Sequence, residues 1–194
     1  MGKLSGTLPR SQQIQQKAAE LFRRHGYANT GMRMLAEALG IEAPSLYNHI
    51  AGKTALLQGI CQSMGDAFET QLQQVRLHNG EPVAKIESIL RFHIKLMMTS
   101  FDEMYIVQHE WKHLAEPYRS KFLQLRLHYE EQMAAIIQQG IDNGSFAPLH
   151  PRVAVLTMLS AIRGIEFWQR HPAGIEANTL ENNMITMLMQ ALKP

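Results

Sequence analysis

The sequence predicts an all-α protein, with an N-terminal three-helix helix-turn-helix domain followed by a C-terminal helical domain. Apolar residues recur with a 3.6-residue period in one segment after another, which is typical of amphipathic helices. Glycine, proline and Asn-Gly pairs separate these segments. Two short segments near the N-terminus are joined by a turn containing glycine, the pattern of a helix-turn-helix. We expect the two domains to span residues 1–57 and 58–194.

Three helices are predicted in the N-terminal domain. The first begins near Ser11 and ends at Gly26, because glycine adopts a positive φ at little cost. The second runs from Thr30, a suitable N-cap, to Leu39. The third runs from Ala43 to His49 and carries Pro44 in its first turn, where a backbone N–H would have no partner. Buried apolar residues are expected on one face of each helix.

The third helix is expected to lie in the major groove of DNA, because the second helix of a helix-turn-helix does so. Its outward side chains are small, hydrogen-bonding or aromatic, which suits contacts with bases and phosphates. The candidates for base edges are Arg33, Ala43, Pro44, Ser45 and Asn48. The candidates for phosphates are Thr30, Tyr47, His49 and Lys53.

The charge distribution supports an interface for DNA at one end of the chain. Residues 1–60 contain 7 Lys and Arg against 3 Asp and Glu, a net charge of +4. Residues 61–194 contain 12 against 14, a net charge of −2. A solvated three-helix bundle would also carry surface cations, but it would not require them to be concentrated in one domain.

The remainder of the chain is predicted to be helical. The predicted helices run from Thr54 to Leu77, from Pro82 through Met97, from Glu103 to Leu114, from after Pro117 to near Gly140, from Pro151 to Arg170, and from Asn178 to Leu192. The segment Pro151–Arg170 is apolar on nearly all sides, so it must be buried on several sides. Few helices remain in the chain to cover it. A second subunit is therefore expected to do so, which makes the protein a homodimer.

The N-terminal segment resembles the DNA-binding domain of the TetR family of bacterial transcriptional repressors. The resemblance lies in the run GYANTGMRMLAEALGIEAPSLYNHIAGKTALL, with its Gly-Tyr turn, its Leu-Tyr-x-His helix and the lysine that opens the fourth helix. It implies a dimer that binds a palindromic operator in double-stranded DNA. It also implies release of that DNA by a small ligand bound in the C-terminal domain, which is a ligand-binding and dimerisation domain in this family. We expect no catalytic residue, no metal and no cofactor.

The C-terminal domain is rich in methionine, which suits a pocket for an apolar ligand or the filling of an irregular core. The candidate ligand residues are His93, Met97, His109, Trp111, His113, Tyr129, Met133, Arg163 and Trp168. The domain also resembles, more loosely, the acyl-CoA-responsive branch of the TetR family, in its Leu125-Arg126-x-x-Tyr129-Glu130 run, its Gly140-x-x-x-Gly144-x-Phe146 loop, and Trp168 followed by His171-Pro172-x-Gly174. This resemblance implies a small hydrophobic ligand of the acyl-CoA class. A buried Arg163 would pair with an anionic group of the ligand or with Glu166.

A second class of function is indicated by the sequence from His109 to His113, which fits the H-E-x-x-H motif of zinc hydrolases. A catalytic zinc requires a third protein ligand, and position 119, where one class of these enzymes has a histidine, is Arg119. The alternative hypotheses are therefore a DNA-binding regulator without a small ligand and a zinc-dependent hydrolase. We favour the ligand-responsive repressor.

Composition indicates a cytoplasmic location without membrane contact. The chain has one cysteine, Cys61, which excludes an internal disulfide and fits a reducing compartment. The first twenty residues contain no apolar signal-peptide core, and the apolar stretch from Val153 to Ile162 is too short to cross a bilayer.

Overall fold

The computed structural model describes residues 9–77, 79–170 and 174–194, so His171 and Pro172 of the motif noted above lie outside the described residues. The described residues contain helices and no strand, which confirms the all-α prediction. Helices α1 to α10 are Arg10–His25, Met32–Ala38, Ala43–Tyr47, Lys53–Leu77, Pro82–Thr99, Phe101–His109, Tyr118–Asp142, Pro151–Arg163, Ile165–Arg170 and Ala177–Gln190, and a short 3₁₀ helix spans Trp111–His113. None of the described helices is long and apolar enough to span a membrane.

The chain divides into two compact units. The first unit comprises Met1–Met64 and Asp102–Phe122, and the second comprises Gly65–Phe101 and Leu123–Pro194. The segment Asp102–Phe122 is thus distant in sequence from the helices with which it forms a unit. The division into domains at residue 57 remains a prediction.

Helices α1, α2 and α3 pack together in the first unit. Helix α1 ends at Gly26, whose φ of 80° lies in the left-handed region and whose N–H donates to the carbonyl of Phe22 at 2.8 Å. The apolar faces of these helices pack together in a shared core. Its buried members include Ile14, Ala18, Leu21, Phe22, Leu35 and Leu46.

The prediction that Thr30 caps α2 was wrong. The N-cap residue is Gly31, and no side chain caps this helix end. The Thr30 side chain is 3% exposed, and its hydroxyl donates to the carbonyls of Gly26, at 2.9 Å, and Leu21, at 3.3 Å. A buried hydroxyl requires a partner, and here the carbonyls at the end of α1 provide it. Thr30 therefore fastens the turn after α1.

The second unit is organised around α5, which packs against α8, α9 and α10. Its face toward these helices is apolar, with Ile86, Ile89, Leu90 and Ile94 fully buried. Arg91 also joins α5 to α10, because its guanidinium donates to Glu181 at 2.8 Å. This packing fixes the position of His93, which lies on the same helix.

Two predicted helices are interrupted in the structure. The predicted helix Pro151–Arg170 is divided at Gly164, whose N–H is shared between the carbonyls of Ser160 and Ala161, so the backbone tightens there. Glycine is also a weak helix former, and a β-carbon at this position would lie 2.9 Å from the Ala161 carbonyl oxygen. The predicted helix Glu103–Leu114 is α6 followed by the 3₁₀ helix.

Candidate DNA-binding surface and ligand site

Helix α3 presents a polar face around a single buried side chain. Leu46 is fully buried and holds the helix on its unit, whereas Tyr47 is 54% exposed. Pro44 lies in the first turn, as predicted. The exposed candidates on or next to this helix are Pro44, Ser45, Tyr47, Asn48 and His49, and Ala43 is half-buried. This face carries the hydrogen-bonding groups that base edges and phosphates require.

Other predicted DNA contacts lie near the ends of α2 and α4. Arg33 is exposed on the first turn of α2. Thr30 is buried and its hydroxyl is bonded within the unit, so its contact with a phosphate remains a prediction. Lys53 is the first residue of α4, a helix end where backbone N–H groups favour an anion.

Lys53 is held by the turn that follows α1. Its ammonium donates to the carbonyl oxygens of Tyr27, at 2.8 Å, and Ala28, at 3.2 Å. The same ammonium lies 4.4 Å from the centroid of the Tyr27 ring, within the range of a cation–π contact. The Tyr27 hydroxyl lies 3.4 Å from the Thr54 hydroxyl. Tyr27 thus joins the turn to the start of α4, whereas the local sequence pattern indicates only that it belongs to a Gly-Tyr turn.

The segment after α5 is part of the same unit and contacts α1 and its turn. The His113 ring stacks on the Tyr27 ring, with centroids 5.2 Å apart and planes inclined by 23°. Arg23 on α1 forms an ion pair with Asp102 on α6. Neither contact has a signature in the local sequence pattern, because the partners lie far apart in the chain.

The H-E-x-x-H motif does not lie on one continuous helix. His109 is the last residue of α6, and Glu110 precedes the 3₁₀ helix that contains His113. The Nε2 atom of His113 lies 3.3 Å from Oε2 of Glu110, while the His109 ring contacts Tyr105 with centroids 4.4 Å apart. Both histidines are exposed. Within the described residues no group of three His, Cys, Asp or Glu is arranged to hold a metal.

His93 and Tyr129 form a buried polar pair in the second unit. His93 Nε2 and the Tyr129 hydroxyl are 3.1 Å apart, and the His93 ring stacks on Phe68 with centroids separated by 5.1 Å. Burial lowers the pKa of His93 to about 4, and the positive charge of Arg163 contributes in the same direction. Burial also raises the pKa of Tyr129. Both groups are therefore neutral at pH 7, and the pair is joined by a hydrogen bond between uncharged groups.

The charge of Arg163 also acts on Arg126. The pKa of Arg126 is lowered by burial and further by the charge of Arg163, and Glu130 partly opposes this effect. Arg163 is half-buried. Two positive charges repel each other more strongly where water is partly excluded. An anion bound between or beside them would relieve that repulsion. Arg126 belongs to the run that resembles the acyl-CoA-responsive branch but was not among the predicted ligand residues, because no spacing rule pairs it with Arg163.

The structure brings some of the predicted ligand residues together and separates others. Met97 and Met133 are buried one helical turn after His93 and Tyr129, respectively. The residues His109, Trp111 and His113 belong to the first unit, where Trp111 contacts Phe122 with ring centroids 6.3 Å apart. Trp168 is 45% exposed and lines a groove of about 540 Å³ with Ile175, Met184 and Met187, a lining that includes neither His93 nor Tyr129.

Two family models match the chain. Residues 14–60 match the model described as bacterial regulatory proteins, tetR family, and residues 79–192 match the model described as tetracyclin repressor-like, C-terminal domain. The second match alone covers more than half of the chain. The HTH-type transcriptional repressor KstR2 of Rhodococcus jostii is 24% identical over an alignment of 194 positions that covers 97% of this chain and 93% of the relative.

Solved structures of similar proteins have the same fold. The ketosteroid transcriptional regulator KstR2 of Mycobacterium tuberculosis has a TM-score of 0.88 and 18% identity, with 97% of each chain covered. AibR, solved in complex with isovaleryl coenzyme A and operator DNA, has a TM-score of 0.80 and 27% identity, with 93% of this chain and 98% of AibR covered. The chain therefore belongs to the TetR family, and it is a non-enzymatic DNA-binding transcriptional regulator.

Proposed function

We propose that the protein is a homodimeric repressor that binds a palindromic operator and releases it when an acyl-CoA binds. The observation that carries this proposal is the polar, exposed face of α3 around the buried Leu46. In a dimer, two such helices lie about 34–36 Å apart and enter successive major grooves of the duplex. Because the two subunits are related by a two-fold axis, the preferred DNA site is a palindrome.

The operator is identified by selecting bound duplexes from a random pool. We expect the selected sites to contain two inverted half-sites. Asn48→Ala is expected to weaken binding by about 1–3 kcal/mol and to relax the preference at one position in each half-site. Gln16→Ala, which changes an exposed amide on α1, is the matched control and is expected to leave the preference unchanged. Asymmetric selected sites, or an Asn48→Ala variant with unaltered selectivity, would contradict this mode of binding.

Support for the homodimer comes from apolar side chains that the single chain leaves exposed. On α8, Leu159 is buried in the unit, whereas Val153 and Leu156 are more than half exposed. Trp168, Ile175 and Met187 are also exposed at the groove described above. Exposed apolar side chains of this kind are stabilised when another subunit covers them. Trp168, predicted as a ligand residue, would then lie at or near the subunit interface.

Support for an acyl-CoA ligand comes from the chemistry of the second unit. Met97 and Met133 offer a polarizable, adaptable lining for an acyl chain, and the His93–Tyr129 pair offers a neutral hydrogen-bonding group for a thioester carbonyl. Arg163 and Arg126 would pair with a phosphate or carboxylate of the ligand. AibR, a structural relative, has been solved with isovaleryl coenzyme A.

The ligand proposal is tested with a panel of acyl-CoAs of different chain length, with free CoA as the control that lacks the acyl group. A fitting acyl-CoA is expected to raise the melting temperature and to release operator DNA, because the two sites are linked by one coupling free energy. Met133→Trp is expected to fill the site and to abolish both responses. If no member of the panel produces either effect, the protein is a regulator without this ligand, and DNA binding is unaffected by that result.

The proposal places the protein in the cytoplasm, where the operator is. The thiol of Cys61 is buried, so that it is shielded from oxidants and other thiols. The proposal requires neither a metal nor a cofactor.

A further inference from the structure

The ring of Tyr27 contacts three residues from different parts of the first unit. Phe22 of α1 meets it edge-on at a centroid distance of 5.1 Å, His113 stacks on it at 5.2 Å, and the Lys53 ammonium lies 4.4 Å from its centroid. Tyr27 is 9% exposed, so its ring orientation is fixed by these neighbours. The Lys53 ammonium therefore lies against a ring whose orientation is fixed.

We propose that His113 is a positioning residue for DNA binding, which acts on Lys53 through the ring of Tyr27. This inference rests on the proposed function, because it takes Lys53 to contact a DNA phosphate. It extends the DNA-binding machinery to a residue far outside the helix-turn-helix. It also gives His113 a role other than the zinc ligation or ligand binding that its motif and position had indicated.

The geometry of Lys53 leaves one donor for DNA. An ammonium group has three N–H donors, and two of them are directed to the carbonyls of Tyr27 and Ala28. Both carbonyls belong to the turn that carries the Tyr27 ring. The third N–H is then directed by the other two and by the ring, which pre-organises it for a phosphate oxygen. Without these contacts the Lys53 side chain would be more mobile, and it would lose more entropy when it bound DNA.

His113 is itself held in place. Its Nε2 atom lies 3.3 Å from Oε2 of Glu110, and its backbone N–H donates to the Glu110 carbonyl at 3.0 Å. The Glu110 side chain is largely buried, so it offers a fixed acceptor. The Arg23–Asp102 ion pair fastens the same segment to α1 at a second point. The ring of His113 is therefore presented to Tyr27 by a constrained segment.

The test is a measurement of operator affinity against salt concentration for five proteins and one control variant. These are the wild type, Lys53→Ala, His113→Ala, His113→Phe and the double variant Lys53→Ala with His113→Ala. Lys53→Ala is expected to make the negative slope of log K against log salt less steep by about 0.9, because one phosphate is no longer neutralised. His113→Ala is expected to weaken binding by about three- to tenfold and also to make the slope less steep. His113→Phe retains a stacking ring but loses the contact with Glu110, and it is expected to weaken binding less than His113→Ala does.

The double variant and the control Lys112→Ala decide between the explanations. If His113 acts through Lys53, the double variant binds no more weakly than Lys53→Ala alone. Lys112→Ala removes an exposed neighbouring charge and is expected to change neither affinity nor slope. Melting temperatures check that each variant is folded, and His113→Gln replaces His113→Ala if that variant is not.

The possible failures are distinguishable. Wild-type affinity in His113→Ala, or effects that add in the double variant, would overturn the inference while leaving the phosphate contact of Lys53 intact. An effect of Lys112→Ala equal to that of His113→Ala would also overturn it, because the stack would then not be the cause. An unchanged salt slope in Lys53→Ala would refute the phosphate contact itself, and the inference with it.

Discussion

His93 Nε2 and the Tyr129 hydroxyl lie 3.1 Å apart inside the second unit, and they join α5 to α7 by a hydrogen bond between two buried, neutral groups. Because each group is withdrawn from water, loss of one partner leaves the other without the hydrogen bond that it would have in solvent. This pair is therefore a sensitive point for both the stability of the unit and its proposed ligand site.

Tyr129→Phe is expected to lower the free energy of unfolding by about 1–3 kcal/mol, because one ring nitrogen of His93 is left buried without its partner. The change is measured by urea denaturation at pH 7.5. Tyr118→Phe removes a hydroxyl from a tyrosine that is 41% exposed on the same helix, and it is expected to change stability by less than about 0.5 kcal/mol. Equal effects of the two substitutions would indicate that the buried hydrogen bond contributes nothing.

Stability is expected to depend on pH through His93. The folded-state pKa is about 4 and the ordinary value is 6.5, so the unfolded protein binds the proton more readily between these values. The contribution of His93 is complete above pH 6.5, and about 2 kcal/mol of it is lost when the pH falls from 7.5 to 5.0. His93→Phe keeps an aromatic ring beside Phe68 and is expected to remove this part of the pH dependence. An identical pH dependence in wild type and variant would contradict the assignment.

The local features of the N-terminal helices were predictable because they depend on neighbouring residues. Gly26 ends α1 and Pro44 opens α3 for reasons of backbone geometry that the sequence displays directly. The same holds for Pro82 at the start of α5. The exposed face of α3 followed from the position of Leu46 on the opposite side of the helix.

The contacts between distant residues were not predictable from periodicity. Arg23 and Asp102 are separated by 79 positions, and neither has a local pattern that indicates the other. The stacking of His113 on Tyr27 is of the same kind. Thr30 was assigned to a helix cap because threonine favours that position, but the buried carbonyls of Leu21 and Gly26 compete for its hydroxyl. Tertiary hydrogen bonding outweighed local preference.

Gly140→Ala is expected to destabilise the protein by about 1–3 kcal/mol. A β-carbon at this position would lie 2.1 Å from Cδ2 of Phe146, whose ring is buried and has little room to move. Gly59→Ala is the matched control, because the nearest atom to its β-carbon is the terminal amide nitrogen of Gln15, which moves aside easily. That control gains helix propensity and is expected to be neutral or slightly stabilising. Thermal melting of both variants measures the difference.

Two leucines of α8 separate assembly from folding. Leu156 is 51% exposed and Leu159 is 7% exposed, although both lie in the segment Pro151–Arg170 that the sequence predicts a second subunit to cover. Leu156→Glu is expected to yield a folded monomer in sedimentation equilibrium at micromolar concentration, with loss of operator binding, because a dimer is needed to engage both half-sites. Leu159→Glu places an unpaired carboxylate in the core and is expected to abolish cooperative melting.

Leu123→Glu is the control for the assembly experiment, because it introduces the same charge at a leucine that is 41% exposed on α7. It is expected to remain dimeric and to bind the operator, since the exposed apolar side chains proposed for the interface lie on α8, α9 and α10 and between α9 and α10. A Leu156→Glu protein that stays dimeric would exclude this surface of α8 from the interface. Dissociation by Leu123→Glu instead would place the interface on α7, and the spacing of the two α3 helices on the operator would have to be derived anew.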